Sequence, residues 1–209
     1  MVLCKKREKP LFTLSQLLCF FSGIFILQMG VAIQVRTERG LGCWDSVNLG
    51  ISKLFNSSIS LASFTVGVIM VILAGVIRKG RFRFTTLITA FCMGFGTDIC
   101  LFITSFFTIP SESWRVYPFL ALGILLAGIG FALYLQSGLP PNALDDFTLA
   151  LTERYPIDIG KAKLVVDISG LLIAFLLKGP IGLGTIFITL LVGPCAGVFN
   201  KVWKSILRK

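Results

Sequence analysis

The chain reads as an all-α polytopic membrane protein: six transmembrane helices in two inverted three-helix repeats, each repeat with a short amphipathic or re-entrant helix. Three observations predict this. Of 209 residues, 55% are apolar and only 14% charged, at a mean hydropathy of +0.87, more apolar surface than a soluble domain of this length can bury. Apolar runs long enough to cross a bilayer recur along the chain. The second half also repeats the first at an offset of about 100 residues.

The runs fall at 11–35, 59–77, 84–109, 117–136, 163–177 and 181–200 of a single membrane domain, 1–209. The first is too long for the apolar core of a signal peptide and lacks a small-residue cleavage site, so it reads as a membrane helix. The fifth is the shortest and contains Asp167, but Lys163 and Lys178 at its ends can snorkel outward and lengthen it. With the connections on alternate sides, fifteen of the twenty Lys and Arg lie on the N-terminal side and five on the other. The positive-inside rule then puts both termini, with basic tails 1–10 and 201–209, in the cytoplasm of a plasma-membrane protein. The same rule accounts for the net charge of +10 without nucleic acid.

The repeat spans about 11–109 and 117–200. Asp45, Leu49, Ile59 and Ala62 meet Asp145, Leu149, Ile159 and Ala162, and after a one-residue deletion Lys79, Gly80, Thr86 and Gly94 meet Lys178, Gly179, Thr185 and Gly193. Three crossings per half invert the second half relative to the first. Between the first two runs of each half lies a polar stretch, GLGCWDSVNLGISKLF (40–55) and GLPPNALDDFTLALTERY (138–155). Each carries one apolar helical stripe, Trp44, Val47, Ile51 and Phe55 in the first and Leu144, Phe147, Leu151 and Tyr155 in the second. Such helices reach about 18 Å, less than the roughly 30 Å bilayer core, so they lie in the interface or dip in re-entrantly. Asp45, Asn48, Asp145 and Asp146 are their polar residues. Trp44 reads as an interfacial anchor, and the Asp145–Asp146 pair as a solvated helix start capped by Asn142 or Asp145 rather than a metal site.

The runs GLGCWDSVNLGI, GLPPNALDDFTLAL and KGPIGLGTIFITLLVGPCAGVFN resemble the YczE/YyaS/YitT group of bacterial membrane proteins, nearest its YczE branch. The resemblance covers about 36–200 and implies a multi-pass bacterial plasma-membrane protein. The chain lacks the soluble C-terminal domain of YitT members. No general biochemical activity follows from the group.

The chemistry the chain can offer is narrow. There is no histidine, and the six cysteines are scattered through apolar runs without a CxxC pair, so histidine-based catalysis is excluded and no metal or cofactor is expected. No Walker A, HExxH or dinucleotide motif is present, and the chain reads as no enzyme. Asp98, inside the third run, is the leading candidate to bind a solute or coupling ion, since a carboxyl there costs several kcal/mol unless partnered. Gly94 and Ser105 share its face. Asp167 is a second candidate, although an i, i+4 pair with Lys163 accounts for it. In the last run Thr189, Gly193, Gly197 and Asn200 form one stripe beside Pro194, as in discontinuous transporter helices. These features predict a secondary transporter or permease for a small solute, with its site between the third and sixth runs. The alternative is a non-transporting accessory or scaffold protein, packing against a second copy or a partner enzyme or complex in the bilayer.

Overall fold

The computed structural model describes residues 13–108 and 114–207, and over those residues the chain is eight α-helices with no strand. In order they are α1 (Leu14–Thr37), α2 (Cys43–Phe55), α3 (Ile59–Ile77), α4 (Thr85–Ser105), α5 (Val116–Gln136), α6 (Ala143–Arg154), α7 (Ile159–Leu176) and α8 (Leu183–Leu207). Five of them, α1, α3, α4, α5 and α8, are long and apolar enough to cross a bilayer. Helix α7 falls short of that standard because Lys161, Lys163 and Asp167 all lie within its 18 residues. The expected tail 1–10 lies outside the described residues. At the other end, 201–207 continue α8 instead of forming a separate tail.

Helix boundaries recur at the repeat offset because the same local chemistry is written twice. Gly42 and Asn142 are the N-caps of α2 and α6, and Ser58 and Asp158 those of α3 and α7. The repeated Lys-Gly dipeptide is a helix stop. Lys79 (φ 58°) and Lys178 (φ 53°) turn left-handed, and the next N–H closes back on the helix, Gly80 to Gly75 at 2.9 Å and Gly179 to Ala174 at 2.8 Å.

Helices α1 and α5 form the central pair. A Cβ on Gly23 would sit 2.4 Å from the Tyr134 nitrogen, and one on Gly130 only 2.2 Å from that of Leu27. Gly30 meets Ala127 and Gly123 meets Gln34, so residue numbers fall on one helix as they rise on the other and the two run antiparallel. Small residues let the backbones touch, which is where packing energy comes from when lipid offers no hydrophobic gain.

Around this pair the short helices cross between halves: α6 packs on α3, and α2 packs on α7. Trp44 and Val47 of α2, Val66 and Met70 of α3, Ala143 of α6 and Val166 of α7 share one buried core. This corrects the interfacial placement of Trp44, which is 7% exposed with its indole against Gly170. Only the ends of the two stripes, Phe55 and Tyr155, are exposed. Asp146 is not solvated either. It is fully buried, and its carboxylate takes the Arg78 guanidinium at 2.7 and 3.0 Å and Arg83 at 3.1 Å. Asn142 does supply the helix cap. Helix α8 runs unbroken through Pro194, so the expected discontinuity at Gly193 is absent. Phe91, Phe95, Phe102, Leu172 and Phe175 stand exposed on outer faces that lipid covers.

Candidate functional site

Each short helix starts where a long one has just ended, and both N-termini open onto the same space. A cavity of about 340 Å³ lies there, reached by Gly42, Trp44 and Asp45 from α2 and by Asn142, Leu144 and Asp145 from α6. Asp45 and Asp145 both occupy the third position of their helices, where the positive end of the helix dipole tolerates a carboxylate. Helix α1 contributes Gln28 and Gln34, α7 contributes Lys163 and Asp167, and α8 contributes Ile188, Thr189, Val192 and Gly193.

The polar groups of the wall are unevenly satisfied. Lys163 pairs with Asp167 at 2.9 Å, one turn along the same helix. The Tyr134 hydroxyl accepts the Asn142 N–H at 3.0 Å and donates toward Asp145 at 3.5 Å. Thr97 donates to Gln28 at 2.9 Å, and the Cys43 sulfur lies 3.4 Å from the Thr189 hydroxyl. Asn48 Oδ1, Trp44 Nε1 and both amide atoms of Gln34 are buried without a partner among the described residues. Burial pushes the Asp45 carboxyl up to about 6, with Lys163 pulling the other way. Asp145 is raised by the same burial, against Lys163 and the Tyr134 hydroxyl. No group of three or more Cys, Asp or Glu among the described residues is placed to hold a metal ion.

Of the residues singled out in the sequence, Trp44, Asp45, Asn48, Asp145, Asp167, Thr189 and Gly193 reach the cavity. Four do not. Asp98 is a capping group: its carboxylate accepts the N–H of Ile59 at 3.2 Å and of Ser60 at 3.1 Å, together with the Ser60 hydroxyl. This corrects the expectation that it faces a cavity; the N-terminus of α3 supplies the partners its burial demands. Gly94 lets α4 approach α3, since a Cβ there would lie 2.8 Å from Ser60 Cα. Asn200 accepts the Gln136 amide and ties α8 to α5. Asp146 serves the ion pair already described. The sequence reading passed over Gln28 and Gln34, two amides inside an otherwise apolar run, which was the available signal for them.

Comparison with known proteins bears on this architecture. A family described as "Family of unknown function (DUF6198)" matches residues 14–201. The "Uncharacterized protein YyaS" of Bacillus subtilis is 28% identical over 180 residues, covering 86% of this chain and 90% of that protein. The "Uncharacterized membrane protein YczE" of the same organism is 24% identical over 175 residues, 83% and 80% of the two chains. An "Uncharacterized protein" of Haemophilus influenzae is 28% identical over 177 residues, 85% and 79% of the two chains. The resemblance to the YczE and YyaS group therefore holds over most of the length. No solved structure matches.

Proposed function

The chain belongs to the DUF6198 family of unknown function, and from that premise we propose that it is a plasma-membrane permease, not an enzyme, that binds a small solute between two inverted halves. The observation that carries this is the meeting of Asp45 and Asp145, the same position of the two repeats, at one cavity. A site at the junction of related halves is the arrangement by which alternating-access proteins expose one solute to both sides in turn.

Inversion is supported by the central pair. Its contacts come in exchange-related sets: Gly23 with Tyr134 and Gly123 with Gln34, Leu27 with Gly130 and Ala127 with Gly30. Such sets fit a two-fold axis perpendicular to both helices, which in a bilayer would lie in the membrane plane. Helix α7 is then the sixth crossing, its Lys163–Asp167 pair neutralised within one turn and turned toward the cavity. The charge asymmetry supports a cytoplasmic position for both termini.

The reading is tested with Thr189→Cys on the cavity wall, in a cysteine-free background in sealed vesicles of known orientation. A membrane-impermeant maleimide is expected to modify it from either face, at different rates. Labelling confined to a single face would put the accessory reading ahead.

A further inference from the structure

Resting on the permease reading, we propose that the cavity takes a small organic cation, an amine bound as its ammonium form between Asp45 and Asp145. Charge is the first ground. Three carboxylates, Asp45, Asp145 and Asp167, face the space against a single ammonium, and that ammonium is already held by Asp167 at 2.9 Å. The two helix N-termini return about half a unit of positive charge each, which leaves the pocket negative by about one unit. An anion entering it meets two carboxylates, and the one ammonium that lines the space among the described residues is already paired.

The second ground is independent of the acids. Asn48, 8% exposed, keeps Oδ1 unpartnered in the cavity wall, and Gln34, 1% exposed, keeps its whole amide so. An orphaned acceptor in a buried wall is costly unless a ligand supplies the donor. An alkylammonium carries three donors and no acceptor, enough for the two carboxylates and one amide oxygen, while Gln34 Nε2 and Trp44 Nε1 gain nothing from it. The indole of Trp44 in the same wall provides an aromatic surface of the kind that attracts ammonium groups. A bare metal ion fits poorly, because no group of three or more Cys, Asp or Glu among the described residues is placed to hold one. A volume of about 340 Å³ accommodates an amine with a carbon body.

Binding is then linked to protons. Asp45 on α2 is faced by Lys163 of α7, and Asp145 on α6 by Lys163 and Asp167 of α7 and Tyr134 of α5; all five line the cavity or touch its wall. An ammonium favours the ionised carboxylates, so its binding releases protons near pH 6, and a proton competes for the same place on the return path.

The test uses the full chain in lipid nanodiscs, with benzylammonium as probe and phenylacetate and benzyl alcohol as controls of matched size. Calorimetry is expected to show saturable benzylammonium binding at pH 7.5, roughly tenfold weaker at pH 5, and no saturable phenylacetate binding. Asp45→Asn with Asp145→Asn is expected to lose at least tenfold in affinity; Asp45→Asn alone serves if the double variant does not fold. Equal or tighter phenylacetate binding, absent benzylammonium binding, or an affinity indifferent to pH overturns the proposal. Uptake into proteoliposomes separates it from the reading beneath: benzylammonium that binds without moving sinks the permease and leaves the cation site. Phenylacetate uptake does the reverse.

Discussion

Helices α3 and α4 of the first half and α7 and α8 of the second are built from matching sequence, yet one pair is closed and the other is open. In the first, Gly94 lets α4 lie against Ser60 and Ser63, and Asp98 reaches over to cap the N-terminus of α3. In the second, Gly193 and Gly197 occupy the equivalent positions and have nothing within 4 Å of where a Cβ would be. Helix α8 leans on α5 instead, and the cavity lies between it and α7. No acid stands at 197 to hold the helices together, and α7 is capped by its own Asp158. Related sequences therefore supply a latched pair and an unlatched one, and the unlatched one borders the cavity.

The short helices show the same contrast. Asp146 of α6 is clamped to the turn after α3 by Arg78, whose side chain is 4% exposed, while its counterpart Ser46 of α2 carries no charge and donates its hydroxyl to the Pro180 carbonyl at 3.0 Å and to that of Leu41 at 3.4 Å. The largest expected effect is here. Asp146→Asn leaves Arg78 buried with only Glu153 as counter-charge and is expected to cost about 3 kcal/mol, against about 1 kcal/mol for Ser46→Ala. Thermal unfolding in nanodiscs measures both, and equal losses would erase the distinction.

Next, Gly94→Ala drives a methyl group into the α3 backbone and is expected to cost about 1–3 kcal/mol. Gly193→Ala meets open space and is expected to be neutral, or to gain up to about 1 kcal/mol from helix propensity. A comparable loss at 193 would mean that α8 rests against α7 and the cavity is closed. Asp98→Asn replaces two acceptor oxygens with one and is expected to cost about 1–2 kcal/mol of stability, with benzylammonium affinity unchanged. Loss of affinity at unchanged stability would return Asp98 to the binding site.

The smallest effect is the pH dependence of stability. The folded-state value of Asp45 lies above its ordinary 3.8, at about 6. Its contribution is thus complete at low pH and disappears as pH rises through about 6. The melting temperature is expected to fall between pH 5 and 7.5, and Asp45→Asn to flatten that slope. Glu153, held low by Arg78, and Asp158, held low by the Gly160 N–H, act in the opposite direction and only in more acid solution.

The amino-acid sequence by itself determined the apolar helices, the two short amphipathic ones, the Lys-Gly stops and the hundred-residue offset. All of these are local: transfer of consecutive side chains to lipid, a 3.6-residue stripe, and a left-handed turn each depend on residues within a few positions of one another. The pairing of Lys163 with Asp167 was legible for the same reason. What the sequence could not decide was the partner of each isolated polar group. Asp98, inside an apolar run, and Asp45, just after one, are both lone acids in the sequence, and the first is satisfied by backbone N–H groups 39 and 38 residues away while the second is left facing a cavity. Only tertiary packing made that choice, because the cost of burying a carboxylate is set by what other helices bring within about 3 Å of it.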